Sequence, residues 1–184
     1  MVNTKIIQKN IAFIDGQNLY WATRESGWKI SFPKFKFYLD RKYNAMEVFY
    51  FMGVKRKDEQ AQKLYGKIEG AGFTLMFRMH DDFYLSSKKG NVDTDIVFEM
   101  MKNIIDNKDF DRIVLISGDG DYYKTVEFLI KKGKFLKILF PSNRNYSSLY
   151  KKISATFYSY LDEPDVKKKI ELIERQNEKA NLGS

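Results

Sequence analysis

Short unbroken apolar runs alternate along this chain with longer, mixed stretches that read as helices. Two of the runs, Ile11-Ala12-Phe13-Ile14 and Ile113-Val114-Leu115-Ile116, are short, continuous and rich in branched or aromatic residues. Such runs read as strands buried on both faces of a parallel sheet. The pattern predicts strands over 10–15, 45–53, 73–79, 112–117 and 135–140, the last stopped by Pro141. It predicts helices over 17–26, 33–43, 58–69, 93–106, 121–132 and 146–154. Ser31-Phe32-Pro33 is a helix start signal, and Gly70-Ala71-Gly72 and Gly133 are stops. Phe83 to Leu85 begins a short excursion with a Lys-Lys-Gly turn. Five strands alternating with helices imply an α/β domain with a mostly parallel sheet covered on both faces. Right-handed crossovers leave few topologies, and order 3-2-1-4-5, with strand 1 beside strand 4, is the expectation. One domain is expected over 1–161, followed by a polar, helical tail over 162–184, docked on the body or on another subunit.

Both of those runs end in acids, Asp15 after the first and Asp119 with Asp121 after the second. In open α/β sheets the ligand crevice lies at the carboxyl ends of the strands, where strand order reverses. Asp15 and Asp119 then face each other across it. Carboxylates held together repel and raise each other's pKa, and a divalent cation removes that cost. Hard carboxylate oxygens suit Mg²⁺ or Mn²⁺. Each cluster also has a plain structural explanation. Asp15 and Asp121 sit where helix N-caps belong, and Asp93 and Asp95 lie where a helix dipole favours negative charge. Asn91, Asp93 and Asp95 share the first spacings of a calcium loop, but Ile96 and Lys102 stand where that loop needs Gly and Glu. Ser117-Gly118-Asp119-Gly120-Asp121 carries most weight. Its glycines let backbone and acids approach one point, and Ser117 can orient a carboxylate by hydrogen bonding. Three acidic clusters in one α/β chain point to a shared metal site.

Composition narrows the chemistry. The chain has no cysteine and one histidine, His80, which excludes disulfides and thiolate sites and leaves zinc without its usual ligands. No serine sits in a nucleophile elbow, and neither a P-loop nor a dinucleotide glycine fingerprint is present. Residues Met1 to Asn10 are polar and no apolar run approaches membrane-spanning length, so the expectation is a cytoplasmic protein with no membrane partner. A net charge of +8 with 12 Tyr and 15 Phe suits a nucleic acid, through phosphate attraction and base stacking. Solvated Lys-rich helix faces are the plainer account of the same charge.

Ile14-Asp15-Gly16-Gln17-Asn18-Leu19, Lys89-Gly90-Asn91-Val92-Asp93-Thr94-Asp95 and Ser117-Gly118-Asp119-Gly120-Asp121-Tyr122 together resemble the NYN domain family, PIN-like ribonucleases that include the LabA-like bacterial proteins. The likeness continues through Gly133-Lys134 and Pro141 to Leu149 and covers most of residues 8 to 161, with Asn91 as an insertion against the family's pattern. The resemblance implies a PIN-like three-layer sandwich around a five-stranded sheet. It also implies Mg²⁺- or Mn²⁺-dependent cleavage of RNA phosphodiesters, by an endoribonuclease acting on single strands. On that basis Asp15, Asp93, Asp119 and Asp121 are the expected catalytic, metal-binding acids, with Asn18, Asp95 and Ser117 as positioning groups. Lys55, Arg56, Lys57, Lys88, Lys89 and Arg144 are candidates for holding the RNA backbone, and Tyr20, Trp21 and Tyr122 for stacking bases. Core packing is the competing role for at least one of those aromatics. Two other functions stay open: a non-catalytic RNA-binding or regulatory module that keeps the acids, and a metal-dependent phosphatase with a closed small-molecule pocket. A homo-oligomer is also left open.

Overall fold

The computed structural model describes residues 8–53, 58–78, 92–106 and 109–173. Lys55, Arg56, Lys57, His80, Lys88, Lys89 and the excursion at 83–90 lie outside the described residues. Among the described residues the sheet has six strands, β1 (Asn10–Asp15), β2 (Ala45–Gly53), β3 (Thr74–Arg78), β4 (Arg112–Ile116), β5 (Phe135–Phe140) and β6 (Tyr158–Tyr160). Their order is β3-β2-β1-β4-β5-β6, and every neighbouring pair is parallel. The helices are α1 (Gly16–Glu25), α2 (Phe32–Tyr43), α3 (Glu59–Gly70), α4 (Val92–Ile105), α5 (Tyr123–Lys131) and α6 (Pro164–Ile170).

The two faces of β1 explain the layers. All six of its residues are buried. Because side chains alternate across a strand, Ala12 and Ile14 enter one core with Leu19, Phe35, Leu39, Ile68 and Ile170. That places α1, α2, α3 and α6 on one side. Ile11 and Phe13 enter the other core with Ile96, Met100, Val126 and Leu129, from α4 and α5. The result is a three-layer α/β sandwich in which β1, one of the two central strands, is buried along its whole length.

Local signals set the helix ends. Pro33 lies in the first turn of α2, and Asn44 closes that helix in the left-handed region at φ 50°. Asp58 caps α3 by accepting from the Gln60 and Ala61 amides. Beyond β5 the chain departs from the sequence reading. The expected helix over 146–154 is replaced by tight turns at Ser148–Lys152 and Ala155–Phe157, and these deliver the sixth strand to the edge of the sheet. Ser147 and Ser154 each accept a backbone amide two residues on, a local bond that competes with a continuous helix. After residue 162, α6 folds back on α2. Ile170 is fully buried, and the Leu172 amide donates to the Lys29 carbonyl. Among the described residues no helix is long and apolar enough to cross a membrane.

Candidate metal centre

Strand order reverses between β1 and β4. β1 leads outward to β2 and β3 on one side, while β4 leads to β5 and β6 on the other. Ile14 pairs with Ile116, so Asp15 and Ser117 emerge side by side at the carboxyl ends. Two glycines let the chain turn there without obstruction. A Cβ on Gly16 would lie 2.3 Å from the Tyr50 ring and 2.6 Å from the Phe51 carbonyl, and one on Gly118 would lie 2.7 Å from the Asn145 carbonyl.

Asp15 is buried and fully engaged. Its Oδ1 accepts the Asn18 amide at 2.9 Å, which makes it the N-cap of α1. Its Oδ2 accepts from the Tyr122 hydroxyl at 3.2 Å and, at a longer 3.4 Å, from Ser117 Oγ. Asn18 Oδ1 in turn accepts the Gly118 amide at 2.8 Å, tying the turn after β1 to the turn after β4. The structural and the chemical roles expected of Asp15 are therefore compatible: it caps α1 and also lines the cleft.

The remaining acids come together above it. Asp93, Asp119 and Asp121 each offer a carboxylate oxygen, and these atoms lie within 4.8 Å of one another. Asp93 is in the first turn of α4. Asp119 caps the tight turn Gly120–Tyr122, accepting the Asp121 amide at 2.9 Å, so the cap is Asp119 and not Asp121 as the sequence suggested. Tyr150 donates its hydroxyl to the Asp119 carbonyl at 2.6 Å, and Ser117 Oγ accepts the Asp119 amide at 3.1 Å. Asp15 stands beside this trio rather than within it, linked to Asp93 through Tyr122, whose hydroxyl reaches Asp93 Oδ1 at 2.5 Å. A cleft of about 730 Å³ is lined by Asp15, Asn18, Trp21, Asp93, Asp119 and Asn145, among others.

Crowded carboxylates set the electrostatics. Burial pushes the Asp15 carboxyl above the ordinary carboxylate range, and the charges of Asp93 and Asp119 push the same way; the bonds from Asn18 and Tyr122 work against them. Burial, then the charge of Asp15, raises the Tyr122 hydroxyl far above an ordinary tyrosine, so it remains a donor. An all-oxygen donor set of converging carboxylates fits a hard divalent cation such as Mg²⁺ or Mn²⁺.

Other expected positions fall elsewhere. Tyr122 has no exposed face on which a base could stack, because its ring is fully buried between the sheet and α4 and its hydroxyl is spent on two carboxylates. Its bridging role was missed in the sequence, where the only signal was a tyrosine directly after the acidic motif. Tyr20 and Trp21 are exposed on α1, and Trp21 lines the cleft. Asp95 lines a separate groove with Phe98 and Glu99. Arg144 is exposed one residue before Asn145, a cleft residue that the sequence did not single out. Asn145 donates to Glu25 at 2.8 Å, fixing the 141–147 loop to α1.

The fold is a parallel α/β sandwich with an acidic cleft at the β1/β4 switch point. The chain belongs to the NYN domain family, whose model matches residues 10–162. It is 25% identical over 173 residues to the low amplitude and bright protein LabA of Synechococcus elongatus, an alignment covering 89% of this chain and 88% of that one. Its fold is shared with the crystal structure of a protein of unknown function, VPA0982, from Vibrio parahaemolyticus. That match has a TM-score of 0.71 and 21% identity, covering 90% of this chain and 96% of the other.

Proposed function

We propose that this protein is a Mg²⁺- or Mn²⁺-dependent endoribonuclease that cleaves single-stranded RNA. The observation that carries the reading is the convergence of Asp93, Asp119 and Asp121 within 4.8 Å, next to buried Asp15, at the switch point of the sheet. Asp93, Asp119 and Asp121 would hold the cation through carboxylate oxygens. A cation so held supplies Lewis-acid polarisation of the phosphate and a water of lowered pKa. Asp15 adds negative charge behind the trio from the wall of the cleft. Ser117, Asn18 and Tyr122 keep the acids in place, and Asp95 stands two residues from Asp93 on α4, on the wall of a separate groove. Lys55, Arg56, Lys57, Lys88, Lys89 and Arg144 are proposed to hold the backbone. The +8 net charge supports a polyanionic substrate.

A second reading, a module that binds RNA without cutting it, draws on the way Asp15 spends both oxygens on hydrogen bonds within the protein. Incubation with single-stranded RNA and DNA in Mn²⁺, in Mg²⁺ and in chelator separates the two. The expected outcome is RNA cleavage that needs metal and is lost in Asp119→Asn. RNA binding without metal-dependent cleavage in the wild type would favour the binding module.

A further inference from the structure

Helix α1 separates two cavities. Asn18, Trp21 and Glu25 on one side line the carboxylate cleft. Tyr20, Thr23 and Arg24 on the other line a basin of about 700 Å³, closed by α2, α3 and Leu172. This size is typical of a small-molecule site. The floor of the basin is apolar and aromatic, from Phe32, Tyr50 and Leu64, and its rim carries Arg24, Lys29 and Lys67. None of the described residues lining it is acidic. An aromatic floor beneath a cationic rim suits a ligand with a flat ring at one end and an anion at the other.

The basin is coupled to the cleft in two ways. Tyr50 packs its ring against Gly16, the residue after Asp15. On the outer surface, Tyr20 and Trp21 are 46% and 56% exposed and meet edge to face at 5.3 Å, so aromatic surface runs over the crest of α1 from one cavity to the other. The separation is one helix width, about 10–12 Å. The Arg24 guanidinium sits 5.3 Å from the Tyr20 ring, on the basin side.

We propose that the basin is a nucleotide subsite that seats one base of a single RNA strand, with its phosphate against Arg24 and Lys67, while the same strand crosses α1 into the carboxylate cleft. The inference rests on the ribonuclease reading for the direction of the strand, but its test needs no cleavage. Base–aromatic stacking is tolerant of sequence, so the subsite sets strand length and single-strandedness rather than base identity.

Two variants on α3, away from the carboxylates, test it. A side chain at Gly66 meets nothing within 4 Å at its Cβ, so Gly66→Trp plugs the basin without moving the backbone and replaces a helix glycine. Lys67→Glu reverses one charge on the rim. The probe is a fluorescein-labelled ten-nucleotide oligouridylate, titrated in chelator, with Mn²⁺ affinity measured separately by calorimetry. Both variants are expected to weaken oligonucleotide binding at least tenfold while leaving Mn²⁺ affinity unchanged. Wild-type affinity in either variant would overturn the proposal, as would a loss that appears only together with a loss of Mn²⁺ affinity. Uridine monophosphate binding the wild type as tightly as the oligonucleotide would also overturn it, because the basin would then serve a free nucleotide. A wild type that does not bind the oligonucleotide overturns it as well. A wild type that binds but never cleaves, with both variants weakened, fails the ribonuclease reading and leaves the subsite standing.

Discussion

At the scale of single residues, the centre depends on one proton. The Tyr122 hydroxyl has a single hydrogen and two carboxylate neighbours, at 2.5 Å from Asp93 and 3.2 Å from Asp15. Groups that orient metal ligands typically contribute about 10–100-fold to metal affinity. Tyr122→Phe keeps the buried ring and removes only this bridge, so Mn²⁺ affinity by calorimetry should fall by about 10–100-fold. Stability in chelator should fall by about 1–3 kcal/mol, the cost of leaving a buried polar partner unsatisfied. Unchanged Mn²⁺ affinity would reduce Tyr122 to a packing residue. Asp15 makes a prediction about pH. Its carboxyl is raised in the folded state, chiefly by burial, so the folded protein holds that proton more tightly than the unfolded chain. The resulting stability is present at low pH and is lost as pH rises from the unfolded value of about 3.9 through the folded one. Asp15→Asn has no proton to lose and can still accept the Asn18 amide. In chelator it should melt higher than wild type at neutral pH, with the advantage disappearing in acid. An equal advantage at both extremes would mean that Asp15 is not titrating in this way.

Among the elements, legibility followed burial. Strands inside the sheet were readable because they are largely apolar: Asn10–Asp15 and Phe135–Phe140 lie where the runs of hydrophobic residues put them. Crossover handedness left few topologies, and the order β3-β2-β1-β4-β5 favoured among them is the one observed; it brings Asp15 and Asp119 to one cleft. What the sequence did not reveal was built from short or local pieces. Tyr158–Tyr160 is only three residues long, too short for a period to show, and its residues are half-buried rather than core. The stretch before it looked helical because serine-capped tight turns and a helix share the same mixture of apolar and polar residues. At the site, the positions of the acids were legible as strand-end clusters. The division of labour between Asp15 and the trio was not, because it depends on which side chains Tyr122 and Ser117 reach. The basin was also invisible, since α1, α2, α3 and Leu172 come to it from distant parts of the chain.

For the molecule as a whole, charge and topology have separate consequences. If Arg24, Lys67 and Arg144 hold the strand beside the bases of 55–57 and 88–89, each neutralised phosphate should lower log affinity by about 0.7 per log unit of salt, so the slope should be at least as steep as about −2, the share of those three contacts alone. Filter binding of single-stranded RNA across a salt series in chelator measures it. A flat dependence would indicate recognition without phosphate contacts. Topology bears on synthesis. The bond from Gly118 to Asn18 spans 100 residues, and that from Tyr122 to Asp15 spans 107. Contacts this distant in sequence close late, after the intervening loop has been ordered. When residues 1–106 have left the ribosome, they carry Asp15 and Asp93 but neither Asp119 nor Asp121. In a growing chain the acidic centre therefore stays half-made until β4, the strand that locks β1 into the middle of the sheet, is followed by Asp119 and Asp121.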